Sequence, residues 1–310
     1  MTKYIIRRVF YMFITFFLIA TATFFLMKAL PGSPISSAPK LSPSQLAIVE
    51  ANYGLDKPVP VQYAKYMLNL VQGDLGNSFQ FKNASVSELI INRLGPSVLL
   101  GTQGLVLGVV LGILLGMIAA LRQNTIWDYG STFIAIIGIS IPSFVFATFL
   151  QYWFGVKWGL FPVALWKDGW MSSVLPSLAL AMGPLATASR FIRTEMIEVL
   201  SSDYITLAKS KGASGFEVAF KHAFRNALIP LVTVLGPLAA GLLTGSLVIE
   251  QIFAIPGIGE QFVKAILSND FSIIMGTTLF FSAFLIVVIF VVDILYGIID
   301  PRIRLSGGNN

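Results

Sequence analysis

Few side chains in this sequence are equipped for covalent chemistry. It has no cysteine and a single histidine, His222, so a thiol nucleophile, a cysteine zinc cluster and a disulfide framework are all excluded. No His-Glu-x-x-His pair is present for metal-dependent hydrolysis, and no Gly-x-x-x-x-Gly-Lys-Ser/Thr loop for cradling nucleotide phosphates. Gly257-Ile258-Gly259 lacks the third, helix-opening glycine of a dinucleotide fingerprint. His222 falls in a polar loop and reads as a structural hydrogen-bonder rather than a proton relay. What remains is the placement of charge. Asp293 falls inside an apolar run, where a carboxylate is functional or paired by default. Arg190 and Arg193 are its candidate partners, in a structural ion pair or a gate. Glu250 closes another apolar run at its outer end and could be a gate or a docking contact.

Apolar runs carry these charges. Hydrophobic residues make up 55% of the chain and charged ones 12%, against about 25% charged in a soluble domain. The apolar residues cluster into runs of about 20, the length a helix needs to cross the hydrocarbon core. Six spans are expected, near 9–29, 97–121, 129–154, 174–192, 228–248 and 273–298. The fold class is therefore an all-α integral membrane protein with one membrane domain over 1–310. An even number of spans puts both termini on one side. Arg7, Arg8, Arg122, Lys209, Lys211, Arg302 and Arg304 fall on that side too, which the positive-inside rule assigns to the cytoplasm. This flanking pattern accounts for the net charge of +6. Nucleic-acid binding would instead want a basic soluble face interleaved with aromatics. The first run is too long for a signal-peptide core and reads as a retained helix.

The external loop, 31–93, should hold two short helices. Ser42-Pro43-Ser44-Gln45 is a capping-box pattern with proline at the first helical position, and Gly54 is a natural stop. A second helix runs from near Pro60 to near Gly73. The pair could be a lid or docking platform, or a packing cap over the bundle. In span two, Gly104, Gly108, Gly112 and Gly116 recur at four-residue spacing, which lets two backbones approach closely in lipid. Gly241 and Gly245 repeat the pattern more weakly, and a second membrane subunit is one candidate neighbour for such stripes. Polar residues that could line a path are Ser140, Ser143, Gln151, Thr187, Ser189, Thr244 and Ser246. Pro142, Pro184 and Pro237 could expose carbonyls to water, although helix kinks and interhelical hydrogen bonds would use the same residues.

The longest polar segment on the expected cytoplasmic side is 201–227. Asp203 or Ser202 can cap a short helix over 204–210, and Gly212 and Gly215 separate it from a second helical stretch. There Phe216, Ala219, Phe220, Ala223, Phe224 and Ala227 fall on one helical face. Glu217, Lys221 and Arg225 are spaced for i,i+4 pairing. A basic amphipathic helix can lie in the lipid interface, or the segment can be a solvated linker. Its length, beside the tight connection at 123–128, favours partner docking.

Thr206-Leu207-Ala208, then Lys209-Ser210-Lys211, Gly212 and Ile229-Pro230 resemble the signature loop of the membrane subunits of ATP-binding-cassette importers. The family's glutamate is replaced here by Thr206 and its first alanine by Leu207, and the stretch from Gly212 to Pro230 is longer. Both departures are similar to the branch that imports oligopeptides, dipeptides and nickel, as is His222-Ala-Phe-Arg-Asn-Ala-Leu-Ile-Pro230. Tyr53–Pro58, Gln72–Phe79, Gly138–Pro142, Phe253–Gly259 and Asp300–Arg304 extend the likeness over nearly the whole chain. It is nearest to the B-type membrane subunits of bacterial oligopeptide permeases. The resemblance implies a type I importer permease fold with six membrane helices and cytoplasmic termini. It implies no enzymatic activity and no cofactor on this chain, with ATP and magnesium bound by partner subunits. Those partners would be two cytoplasmic ATPase subunits, a second related membrane subunit and an external peptide-binding protein, in a bacterial plasma membrane. ATPase coupling would fall to Thr206, Leu207, Ala208, Lys209, Gly212, Phe216, Phe220 and Pro230 in the loop 201–227. A proton-coupled carrier, the alternative class, wants carboxylates near mid-bilayer at a repeat interface, which Asp293 near one end of its span fits poorly.

Overall fold

The computed structural model describes residues 2–29, 42–81 and 84–299. Arg302 and Arg304, and the first part of the external loop, lie outside the described residues. Among the described residues the elements are helical, apart from one isolated antiparallel bridge, Asn77 to Ser85. The chain forms two compact units, Met1–Gly95 with Glu260–Ile286, and Pro96–Gly259 with Val287–Asn310.

The first unit holds α1 (Thr2–Ala29), α2 (Pro43–Tyr53), α3 (Val59–Val71) and most of α12 (Ile258–Leu267). Two short helices, α2 and α3, are thus present between the first two apolar runs, where the sequence predicts them. Gly54 and Gly73 end them in left-handed conformations, φ 69° and 78°, which cost glycine nothing. Helix α3 is fastened to α1 by aromatic packing: Phe24 meets Tyr63 and Tyr66, each with ring centroids 5.4 Å apart. Thr21 and Tyr63 hydroxyls hydrogen-bond at 2.8 Å. The segment after α3 is held by Asp270, which is fully buried. Its carboxylate accepts from Ser78 Oγ at 2.5 Å and from the backbone N–H groups of Phe79, Gln80 and Ile273.

The second unit is organised around α7 (Met171–Leu200). Of the apolar stretch of α7, 67% is buried, against 39% or less in the other four continuous candidate spans. Helix α4 (Val86–Leu121) lies against it through the glycine stripe. A Cβ on Gly112 would sit 2.5 Å from the Leu185 carbonyl oxygen, and one on Gly116 2.6 Å from that of Ser189. Gly108 meets the Ala181 carbonyl in the same way, and a Cβ on Gly104 would sit 2.7 Å from the Leu180 Cβ. The stripe's neighbour is therefore another helix of this chain. The weaker pair does not repeat the device: a Cβ on Gly241 would meet nothing within 4 Å, and Gly245 makes room for a side chain, Glu250.

Among the described residues five helices are long and apolar enough to cross a bilayer, and a sixth candidate is a pair bent by 102°, Ile126–Ser140 with Ser143–Lys157. The expected span over 129–154 is thus broken at Pro142, one of the three prolines singled out in the sequence. Proline disfavours helical geometry in the residue before it. Ile141 accordingly turns extended (ψ 120°), ending α5 (Ile126–Ser140), and Pro142 opens α6 (Ser143–Leu150). Pro184 and Pro237 stay inside continuous helices, α7 and α10 (Arg225–Leu243). Span five breaks instead after α10, at Thr244–Ser246, before α11 (Leu247–Ile252).

Gly112→Leu should destabilise the second unit by about 1–3 kcal/mol or more, because the added carbons have no space against the Leu185 backbone. The thermal unfolding midpoint of the detergent-solubilised chain is expected to fall. Gly183→Ala, with nothing within 4 Å, should leave it unlowered.

Candidate functional site

The polar segment between α7 and α10 folds as a helix, a glycine turn and a second helical stretch. Helix α8 (Asp203–Ser210) comes after α7 with a two-residue turn between them and is anchored by Ile205, which is fully buried. Ser202 occupies the cap position, but its hydroxyl donates back to the Val199 carbonyl at 2.5 Å rather than capping α8. At the other end Ala213 N–H reaches the Ala208 carbonyl and Gly212 N–H that of Lys209, at 3.1 and 2.9 Å. This is the paired closure of a Schellman motif. Gly212 has φ 88° and nothing within 4 Å of a would-be Cβ. Of the two reasons for a glycine here, the left-handed turn is therefore the operative one within this chain.

The second stretch starts with one turn, α9 (Gly215–Glu217), where Ser214 Oγ accepts from Glu217 N–H at 3.2 Å. It continues as a π-helical turn, Val218–Phe224, and then as α10. The wider turn redistributes the expected apolar face. Val218, Ala219, Ala223 and Ala227 are buried, whereas Phe216 is 72% exposed and Phe220 is also exposed. Their rings pack against each other in a tilted arrangement, centroids 4.4 Å apart. Tyr204 and Leu207 of α8 are exposed as well, so four large apolar side chains face outward from a polar segment. Thr206 and Lys209 are exposed beside them, Ala208 and Pro230 half-buried. Asn226 ties the two helices together, donating to Tyr204 Oη and to the His222 carbonyl, both at 2.9 Å. Lys221 bonds Glu217 at 2.9 Å, and that hydrogen bond holds the Glu217 carboxyl below its ordinary value.

The charges are arranged differently from expectation. Arg193 engages Asp128 rather than Asp293: its Nε donates to Oδ1 at 2.6 Å and a terminal nitrogen to Oδ2 at 2.9 Å. Asp128, 2% exposed in the first turn of α5, also accepts from Asn124 N–H and Thr132 Oγ1. In the sequence Asp128 is inconspicuous, because it stands at the edge of a span beside a tight turn. Arg190 is exposed and Asp293 half-buried. Glu250 is no surface group either, being 1% exposed. Ser97 Oγ donates to it at 2.7 Å and accepts from Ile258 N–H at 2.9 Å. Its carboxylate fills the space where side chains on Gly245, Gly257 or Gly259 would begin. The glycines at 257 and 259, which no cofactor motif explained, thus make room for a buried carboxylate. The chain turns back over it after α11, with Ile255 N–H on the Glu250 carbonyl at 2.8 Å.

Among the expected path residues, Ser140 and Ser143 are exposed on either side of the break at Pro142, and Thr187 is half-buried. Gln151 bonds the carbonyls of Val163 and Ile252 at 2.8 and 3.1 Å. Ser189 is buried, Thr244 bonds back to the Ala240 carbonyl, and Ser246 caps α11. Among the described residues no cluster of three or more His, Asp or Glu side chains is placed to hold a metal ion.

Comparison with known proteins adds a family. Residues 112–305 match the family described as binding-protein-dependent transport system inner membrane component, and residues 1–100 match the N-terminal region described for the same membrane components. The chain is 49% identical over 305 residues to the dipeptide transport system permease protein DppB of Lactococcus lactis, covering 98% of this chain and 100% of that one. It is 46% identical to DppB of Bacillus subtilis, covering 98% and 99%. Against the oligopeptide transport system permease protein OppB of Escherichia coli K12 the identity is 39%, covering 98% and 100%. A crystal structure described as an amino acid ABC transporter with histidines superposes with a TM-score of 0.50 at 15% identity, over 70% of this chain and 94% of that one. This last likeness speaks to the fold alone.

Two substitutions probe these local structures. Gly257→Val should lower the unfolding midpoint sharply, because its side chain would overlap the enclosed Glu250 carboxylate, whereas Glu250→Gln, which keeps the Ser97 hydrogen bond, should lower it less. At the loop, Gly212→Asn should keep α8 folded, since asparagine tolerates φ above zero. Gly212→Val should fray its last turn at a cost of about 1–2 kcal/mol, read as faster amide exchange over 208–213.

Proposed function

Because the chain belongs to the family of binding-protein-dependent transport system inner membrane components, we propose that it is the membrane subunit of an ATP-driven importer of short peptides. Relatives named for dipeptide and for oligopeptide transport match it end to end, which supports peptides over nickel as the cargo. The chain carries no nucleotide-phosphate loop, so the energy enters from outside it. In this reading two ATPase subunits, holding ATP and magnesium, act on it from the cytoplasm of a bacterium. A second membrane subunit completes the path, and an external binding protein delivers the peptide.

The observation that supports this mechanism best is the form of the 201–227 segment. Helix α8 is short, closed by a rigid glycine turn, and joined to the most buried helix of its unit by two residues. Tyr204, Leu207, Phe216 and Phe220 offer an apolar surface on that cytoplasmic segment, of the kind that marks a protein interface. An ATPase subunit gripping α8 would move α7, which then carries the bundle between inward-open and outward-open states. Such rigid-body transmission needs packed elements with discrete arrangements. The path itself would run past the break at Pro142, where Ser140 and Ser143 are exposed, with Thr187 and Asp293 as further candidates.

Uptake of labelled di- and tetrapeptides by cells with and without this chain tests the reading, and orthovanadate should block it. Leu207→Asp with Phe220→Asp should abolish uptake and co-purification of the ATPase while the chain still inserts into the membrane. Undiminished co-purification of the ATPase with that double variant would remove the docking role.

A further inference from the structure

If α8 is where force enters, α7 moves first, and something must make α5 move with it. Apart from the Asp128–Arg193 pair, α5 and α7 meet through close apolar packing: Gly138 faces the Met182 carbonyl, at 3.0 Å from a would-be Cβ, and Ala186 beyond it. Contacts of that kind resist separation but permit sliding, which is how packed helices shear. The Asp128–Arg193 pair is of another kind. Two parallel hydrogen bonds between a guanidinium fork and a carboxylate fix both distance and direction. Asp128 is in turn fixed on its own element by Asn124 N–H at 3.0 Å and Thr132 Oγ1 at 3.4 Å. Asn124 holds the turn between α4 and α5 in a left-handed conformation, φ 61°. Arg193 stands seven residues before Leu200, the last residue of α7, which is about 10 Å along a helix. The pair therefore sits close to the α8 end of α7. Beyond it, α5 ends in the 102° bend, so axial displacement of α5 would swing α6 sideways at the place where Ser140 and Ser143 are exposed.

We propose that the Asp128–Arg193 pair is the link that makes the bent α5–α6 pair move with α7, so that ATP hydrolysis is converted into peptide transport. The two residues are positioning residues: neither touches the peptide or the nucleotide, and each acts through the helix it fixes. This rests on the coupling role of α8. A buried ion pair is weak grounds for stability, since desolvation offsets much of the attraction, and a role in fixing register is its better-attested use.

The test uses the whole transporter, with ATPase subunits and binding protein, reconstituted in liposomes, and reads peptide imported per ATP hydrolysed. Asp128→Asn and Arg193→Gln should each lower that ratio by about tenfold, within the span of ordinary couplings between sites, while ATP hydrolysis continues. The double variant should be no worse than either single one, because both remove the same link. Arg193→Lys keeps the charge and loses the fork, and should fall between; it decides the matter if Arg193→Gln does not assemble. Loss of assembled complex with an unchanged ratio in the complex that remains would overturn the proposal and leave the pair a stabilising contact. Gly212→Val separates the two readings: if it abolishes import while Asp128→Asn keeps the normal ratio, only the link fails. Normal import by Gly212→Val would instead sink the coupling role of α8.

Discussion

The close approach of α4 to α7 is the contact on which the rest of the second unit depends. In a bilayer, lipid tails are as apolar as leucine, so helices do not associate to escape water; they associate where backbones come near enough for dense packing. Four glycines spaced along α4 remove the carbons that would hold the two backbones apart. Once α7 is held there, its other faces are free for α5, α6 and α10, and its buried fraction exceeds that of the other four continuous candidate spans. A helix so enclosed transmits displacement instead of bending away from it, which is why its end is a suitable place for α8.

Against that apolar background the buried charges carry disproportionate weight. Asp128 and Arg193 meet in a two-pronged pair near one end of α7, and Glu250, on α11, is enclosed by Ser97 and by Gly245, Gly257 and Gly259. In a medium of low dielectric an unsatisfied carboxylate costs several kcal/mol or shifts to its neutral form, so each of these groups dictates the backbone around it. The turn over 253–257, the left-handed Gly245 and the hydrogen bond from Ser97 are all arranged about a single side chain. Glu250 is thus a folding constraint on the end of span five.

The segment between α7 and α10 combines rigidity with exposure. Its turn is closed by two backbone hydrogen bonds and its helices are pinned by Asn226, yet Leu207 and Phe216 are more than half exposed. A flexible linker would be exposed but would lack the closed turn and the pinned helices. The π-helical turn produces the exposure: with about one extra residue in its turn, it keeps Val218 and the alanines against the bundle and releases Phe216 and Phe220 from the face that a regular helix would have buried.

Much of this was legible in the amino-acid order. Runs of apolar residues near bilayer length determined the spans, because a helix is the form in which a single segment satisfies its own backbone in lipid. Glycine and proline determined where helices stop, at Gly54, Gly73, Gly212 and Pro142, because their allowed torsions are local properties. The glycine stripe declared a close contact for the same reason. What only the tertiary structure decided is who meets whom. Neither the helix facing that stripe, nor Asp128 as the partner of Arg193, nor the carboxylate behind Gly257 and Gly259 can be read from spacing. Each depends on packing between separate elements, whose energies are sums over many weak contacts. Periodicity reports the faces of one helix, whereas pairing is a property of two.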